Sequence, residues 1–271
     1  MKYILTYNNR PLTRTSGAYD FIEHNVYRMW VPITFTGLNT IYGEDVWSDG
    51  TNTYYSRGST QYVYDKTNRS WSTKTWSGLS SFNGRNVWCG HWGYYYHSLG
   101  SSHYRLVNGS WSAWNYWSGY SFSGEYIWNS PNSNIGTMYT NNGTNYELWA
   151  GSCTPMTTYG YIIDGRFVWS DSSNTYYSNG SNQYKLISSG QDWTIQGWSG
   201  SNKPNGRGIW TYDGNTYSSS GNSQYVRSSG KWWNSESWNG ITSFDGWNVW
   251  TDGTSYYYSD GTSNYILNEF E

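Results

Sequence analysis

The sequence predicts an all-β chain of six four-stranded antiparallel units closed into a ring, and three observations lead there. An aliphatic-Trp pair recurs at Val46-Trp47, Val87-Trp88, Ile127-Trp128, Val168-Trp169, Ile209-Trp210 and Val249-Trp250, so its tryptophans advance by 41, 40, 41, 41 and 40 residues. A fixed period of this size marks a repeat architecture. Within each period, short runs of Val, Tyr, Trp and Thr are separated by Asp-Gly, Ser-x-Gly and polar turn signals, the punctuation expected of short strands. The last period stops before its final strand, and a segment of matching spacing stands near the N-terminus. Four antiparallel strands in a repeat of roughly 40 to 50 residues describe a blade of a β-propeller.

Taken in order, strand A of each unit carries the aliphatic-Trp pair. Strand B carries a Tyr-rich run, as in Tyr54-Tyr55-Ser56-Arg57-Gly58, Tyr176-Tyr177-Ser178-Asn179-Gly180 and Tyr257-Tyr258-Ser259-Asp260-Gly261. Strand C opens with a polar-Tyr pair such as Gln61-Tyr62, Gln183-Tyr184 or Asn264-Tyr265, and strand D carries the first of two late tryptophans. Asp49-Gly50, Asp213-Gly214 and Asp252-Gly253 are expected to give the positive φ angles of tight A-to-B hairpins. The blades start near 44, 85, 125, 166, 207 and 247. Arg28-Met29-Trp30, Phe35, Gly37 and Gly43 precede Val46-Trp47 on the spacing that Trp193, Trp198, Gly200 and Gly206 keep before Ile209-Trp210. Residues near Tyr27 to Trp30 are therefore expected to supply the last strand of blade six, leaving no open seam in the ring. The chain divides into an N-terminal arm, 1–26, and a propeller, 27–271.

The run from Tyr54-Tyr55-Ser56-Arg57-Gly58 through Gln61-Tyr62-Val63-Tyr64-Asp65-Lys66-Thr67-Asn68-Arg69-Ser70-Trp71 resembles a kelch repeat, in which an aromatic strand ends at glycine and is followed by Tyr-Asp, a polar turn and Trp. The resemblance extends over about Tyr27 to Leu267, with Ser-x-Gly standing where kelch repeats carry a Gly-Gly doublet. It implies a propeller. Propellers of similar kind serve as protein-binding scaffolds, sugar-binding modules, virion parts and enzyme frames.

Composition agrees with the fold and narrows the function. Aromatic residues make up 21% of the 271 residues and charged ones 13%, so rings must build the core between blades, where they bury most area per residue. A net charge of -2 with no basic stripe argues against nucleic acid as a partner. No apolar run approaches the ~20 residues of a membrane span, and Asn8, Asn9 and Arg10 follow Met1-Lys2-Tyr3-Ile4-Leu5 too closely for a signal peptide. Localisation is otherwise unassigned.

Little points to catalysis. Asp49, Asp171, Asp213 and Asp252 all fall in the A-to-B turn, where Asp serves local backbone hydrogen bonding. His91, His97 and His103 share blade two, but their spacing of six and six matches no familiar ligand pattern; they read as polar surface or strand residues. Cys89 and Cys153 lie in different blades and are expected as free thiols. No cofactor, metal or catalytic residue is expected, and the protein is read as not an enzyme.

Positions outside the repeat are where function is sought. Fifteen of the 20 tryptophans occupy repeat positions, and Trp92, Trp114, Trp149, Trp232 and Trp247 do not; these five are the candidate contacts for a partner protein or a sugar ring. Blade three is a second anomaly, with Cys153 to Thr158 where its neighbours place both late tryptophans, and Trp149, Met156 and Tyr159 are expected to compensate. The expected function is a non-catalytic structural or protein-interaction module of a larger assembly, such as a virion tail, fibre or capsid-associated component. Its partners are other proteins of that assembly, with glycans as the second class. The alternative is a carbohydrate-binding, lectin-like propeller, which should repeat one aromatic-polar group from blade to blade.

Overall fold

In the computed structural model, described over residues 6–7, 10–11, 27–90, 92–131, 136–149, 151–156, 161–171, 173–187, 192–198, 204–228 and 232–270, six four-stranded antiparallel sheets stand in a ring. Blade one comprises strands A Val46–Ser48, B Thr53–Arg57, C Thr60–Asp65 and D Ser70–Thr73. Blades two to five follow from Val87–Cys89 to Ser110–Ala113, from Ile127–Asn129 to Ser152–Pro155, from Val168–Ser170 to Trp193–Ile195 and from Ile209–Tyr212 to Trp232–Ser235. Blade six takes strands A to C from Val249–Thr251, Tyr256–Ser259 and Asn264–Phe270, and its outer strand from Tyr27–Pro32. That strand pairs with strand C over six residues, Tyr265 opposite Pro32 through Phe270 opposite Tyr27. The two ends of the ring are thus joined by a ladder, as the spacing predicted. Of the arm, the described residues form one short ladder between Thr6–Tyr7 and Arg10–Pro11.

Six aromatic wedges, one per blade junction, replace a single core. Each strand A Trp is 6 or 7% exposed, and its indole Nε1 donates to a buried hydroxyl on strand B of its own blade: Ser56, Ser98, Thr140, Ser178, Ser219 or Ser259, at 2.9–3.1 Å. A buried indole N–H without an acceptor costs about 1–3 kcal/mol, and the Ser or Thr that follows the Tyr run removes that cost at strand A. In five blades a strand B Tyr lies against the same indole, with centroids 4.3–4.8 Å apart; Met138 takes that place in blade three. The strand D Trp of the next blade closes the wedge at 5.6–6.0 Å in five junctions.

The axis is set by a shorter repeat inside the long one. A one-turn 3-10 segment, Gly43–Asp45, Gly84–Asn86, Gly124–Tyr126, Gly165–Phe167, Gly206–Gly208 or Gly246–Asn248, precedes every strand A. All six leading glycines are buried. A Cβ on any of them would collide with the carbonyl oxygen that ends the preceding blade's turn: Asn248, Asp45, Asn86, Tyr126, Phe167 or Gly208. These glycines let six backbones meet around one axis.

The middle residues of these turns are Glu44, Arg85, Glu125, Arg166, Arg207 and Trp247. Glu44 pairs with Arg85 at 2.8 Å and with Arg207 at 3.0 Å. Arg207 belongs to blade five and Glu44 to blade one, so the second pair passes the turn of blade six. The Arg207 guanidinium lies 5.2 Å from the Trp247 ring.

The hairpins differ in detail from expectation. Asp213 and Gly214 both have positive φ, 48° and 71°, and join Tyr212 to Asn215 as a two-residue turn. At Asp49 and Asp252 only the following glycines, Gly50 and Gly253, are left-handed, each at φ 86°. Those two aspartates instead hold four-residue loops. Asp49 Oδ1 accepts from the amides of Thr51 and Asn52, and Asp252 Oδ1 from those of Thr254 and Ser255. Asp171 does the same with Ser173 and Asn174.

Candidate binding surface on blades two and three

The five tryptophans outside the repeat do not form one site. Trp247 belongs to the axial ring. Trp232 opens strand D of blade five, opposite Ser228, and its side chain lies outside the described part of the structure. Trp92, from the A-to-B turn of blade two, meets Trp149, the last residue of strand C in blade three, with ring centroids 5.9 Å apart. Trp114 stands just beyond strand D of blade two.

The Trp92–Trp149 pair has counterparts at other junctions. Arg227 of blade five reaches Asp171 of blade four at 2.9 Å. Arg28, on the N-terminal strand of blade six, reaches Asp213 of blade five at 2.7 Å. Tyr64 of blade one donates to the Tyr257 hydroxyl of blade six, which donates to Asp252, both at 3.1 Å. Each joins the A-to-B side of one blade to the next, so the two tryptophans act first as an inter-blade clasp, even though Trp149 stays 36% exposed.

Trp114 answers the anomaly of blade three. Cys153 pairs with Leu148 as Trp71 pairs with Tyr64, so Cys153 occupies the strand D Trp position and leaves an indole-sized gap. Blade two fills it. The amide of Trp114 donates to His103 O at 2.8 Å, as that of Lys74 donates to Gln61 O and that of Glu236 to Gln224 O, each at 2.9 Å. The second late Trp then follows after two residues in blades one and five but after three in blade two. The extra residue forms the turn Asn115–Trp117. Trp117, fully buried, keeps the contact with its own strand A indole, 5.4 Å from Trp88, that Trp76 and Trp238 keep at 5.6 and 5.3 Å, and in addition donates its Nε1 to the Trp149 and Ser152 carbonyls of blade three, both at 3.1 Å. Compensation therefore comes from blade two rather than from Trp149 and Met156. Trp149 is half exposed to solvent at the rim, Met156 packs into the opposite junction with blade four, and Tyr159 lies outside the described residues.

Outward from Trp114, which packs against the core between blades two and three, blade two also carries exposed aromatic surface. The Arg105 guanidinium is sandwiched between Tyr94 at 3.8 Å and Trp114 at 5.0 Å, and Tyr116 lies 4.8 Å from Trp114. Tyr94 is 44% and Tyr116 65% exposed, beside Leu99 at 53% and Val107 at 39%. The matching positions in blade one are Asn52, Thr75, Arg57 and Asp65, and in blade five Asn215, Ser237, Ser220 and Ser228. Tyr94, Tyr116 and Arg105 were not singled out from the sequence; aligning the blades position by position carries the signal.

No family model matches the chain, and no curated protein matches it. Among solved structures it is similar to an auxiliary nutrient binding protein from Bacteroides ovatus, with a TM-score of 0.58 and 11% identity, covering 90% of this chain and 77% of that one. It is similar in the same way to an auxiliary nutrient binding protein from Bacteroides thetaiotaomicron, with a TM-score of 0.57, 9% identity, and 91% and 77% covered. Virginiamycin B lyase from Staphylococcus aureus matches with a TM-score of 0.51, 11% identity, and 89% and 99% covered. These similarities show the propeller fold. They are propellers of other kinds than kelch.

The polar side chains of this region are built into the packing. His97 and His103 are 3% and 5% exposed, which corrects the surface reading and leaves them as buried strand residues. Burial, with His103 nearby, pushes His97 down to about 4. Burial likewise lowers His103, whose Nε2 lies 3.1 Å from Tyr120 O. His91 lies outside the described residues. Among the described residues no three His, Cys, Asp or Glu side chains are grouped to hold a metal, and no helix is long and apolar enough to cross a membrane. Cys89 and Cys153 are free, and burial pushes the Cys153 thiol up to about 12, away from thiolate chemistry.

Proposed function

We propose that this chain is a non-catalytic binding module that docks a protein of a larger assembly through the exposed aromatic surface of blade two and the adjoining edge of blade three. The observation that carries this reading is the placement of Tyr94, Leu99, Val107 and Tyr116 in solvent where blades one and five carry polar residues. Packing asks for none of them, and aromatic side chains flanking an arginine are the composition of interface hot spots. The commitment of Asp49, Asp171 and Asp252 to turn hydrogen bonds supports the non-catalytic part. The virion setting draws nothing from the similar structures; two of these are nutrient-binding proteins, which supports the coarser reading of a binding propeller.

Photo-crosslinking tests it. A benzophenone amino acid at position 116 should give a discrete protein adduct in extracts of the source cells, while the same group at position 237, the matching site in blade five, should not. Equal labelling from both positions would sink the proposal.

A further inference from the structure

The geometry points to a second, smaller site on blade two: a cleft that binds one residue of a neutral saccharide. It goes beyond the protein-docking reading and does not depend on it. The cleft lies between the B-to-C turn and the segment following strand D, and is lined by Ser101, Ser102, His103, Trp114, Asn115 and Ser118, among others. Ser101, Ser102, Asn115 and Ser118 are exposed and present hydroxyl and amide groups that both donate and accept. Trp114 is partly exposed and forms the aromatic wall, and Tyr116, at 65% exposure, extends that wall outward 4.8 Å away.

Three features select the ligand class. Among the described residues no Asp, Glu, Lys or Arg lines the cleft, and burial lowers the pKa of His103, so the lining itself carries no formal charge; the Arg105 guanidinium, 5.0 Å from the Trp114 ring, is held between that ring and Tyr94. The wall is aromatic and the rim is rich in groups that donate and accept. A pyranose matches both, with an apolar C–H face to lie on a ring and hydroxyls at its edge. Finally, blade two carries one more residue than blades one and five after strand D, and Asn115, in the turn that this residue forms, lines the cleft.

The other blades show what the same location looks like without these features. In blade five the corresponding cleft is lined by Asn222, Gln224, Glu236, Ser237, Trp238 and Thr242. Glu236 stands where Trp114 stands in blade two, and Trp238 is 6% exposed, so a carboxylate replaces the open aromatic wall. In blade one, Lys74 holds that position and lays its ammonium 4.6 Å from the Trp76 ring. A lectin built on identical blades would repeat the site; of blades one, two and five, only blade two joins an open aromatic wall to an uncharged lining among the described residues.

The test is saturation-transfer NMR of the full chain with methyl glycosides of glucose, galactose, mannose and N-acetylglucosamine, followed by a glycan array. At least one sugar should receive transfer. Tyr116→Ala, at a position too exposed to threaten the fold, should weaken its binding roughly tenfold, the loss of one aromatic contact. Glu236→Ala in blade five should leave it unchanged. Transfer to no sugar, or transfer indifferent to Tyr116→Ala, would overturn the saccharide site, and neither result bears on crosslinking of a protein partner. Binding of uncharged peptides but no glycan at the cleft would also overturn it.

Discussion

Around the axis, six turns repeat one solution; at the rim, junctions that must do the same job use different chemistry. Every inner turn places a buried glycine against the carbonyl of its neighbour, and every strand A indole finds a strand B hydroxyl. The rim clasps are an ion pair at Asp171–Arg227, another at Arg28–Asp213, a tyrosine relay at Tyr64–Tyr257–Asp252 and an aromatic pair at Trp92–Trp149. The difference follows from space. Near the axis the blades converge until backbone meets backbone, and only a residue without Cβ fits; outward the gap widens and several side-chain pairs fill it equally well. Repetition thus records steric necessity, and variation is where binding surfaces can arise without loss of the fold.

If that is right, the axial glycines should be the least tolerant positions in the molecule. Gly124→Ala would drive a methyl group into the Asn86 carbonyl, and no rotamer change can relieve a clash between backbones. The expected cost is about 3 kcal/mol or more, at the upper end of overpacking effects. The comparison substitution is Gly93→Ala, at φ 75° with nothing within 4 Å of the added Cβ, where only conformational strain of about 1 kcal/mol is at stake. Denaturant melts of the two variants would show the gap. Equal losses would mean that the axial contacts yield as easily as a surface turn.

The next effect is one in which a single blade departs from its siblings. His97 stands where blades one, three, four and six carry Tyr55, Tyr139, Tyr177 and Tyr258. It is packed against Phe82 at 5.3 Å and Trp111 at 6.3 Å, and neither ring nitrogen has a hydrogen-bond partner among the described residues. Burial favours the neutral ring and lowers its pKa from 6.5 to about 4. Between those values the unfolded chain binds the proton that the folded chain refuses. Stability is therefore full above pH 7, falls as the pH drops through 6.5, and levels off for this group below about 4. The window is worth about 3 kcal/mol. The difference in stability between wild type and His97→Tyr, followed from pH 7.5 to pH 4, should change by about that amount in favour of the variant at the acid end. A pH-independent difference would mean that the imidazole is solvated in the native state.

Much of the fold is legible in the sequence. The 40- and 41-residue spacing of Val46-Trp47 and its copies gave the blade count, and the stranded match between Arg28-Met29-Trp30 and the late-Trp spacing gave the closure. Both are periodic signals, and a period survives any ignorance of side-chain contacts. The candidate site was less legible. Trp247 broke the Trp register and read as a possible contact, yet it keeps a different register, the middle of the Gly-x-x turn, whose occupants Glu44, Arg85, Glu125, Arg166, Arg207 and Trp247 share a location but no chemistry. Trp114 read as lying outside the repeat and Trp117 as an ordinary second late tryptophan, six rather than five residues after the first; where the extra residue falls shows only when the amide of Trp114 is seen to match those of Lys74 and Glu236. The replacement of the blade three Trp by Cys153 was visible in the sequence. That the neighbouring blade fills the space is a property of packing between units, which no reading along one unit contains.

The smallest expected effect sharpens the comparison at the rim. Asp171 uses its Oδ1 for the turn amides of Ser173 and Asn174 and its Oδ2 for Arg227. Burial alone would raise its carboxyl pKa; the two amides and the guanidinium override this and hold it below the usual carboxylate range. Asp171→Asn keeps an oxygen for the turn and removes the charge, so it isolates the clasp from the loop. With the two side chains 23% and 11% exposed, the pair is partly screened, and the loss should be about 1 kcal/mol, shrinking in high salt. Arg227 also lies 4.8 Å from the Tyr176 ring and donates to its hydroxyl at 3.0 Å, contacts that remain in the variant and limit the damage. Thermal melts of wild type and variant at low and high ionic strength would measure it. A loss as large as that of Gly124→Ala would mean that the rim clasps are as strictly required as the axial contacts, and that their varied chemistry is not free to drift.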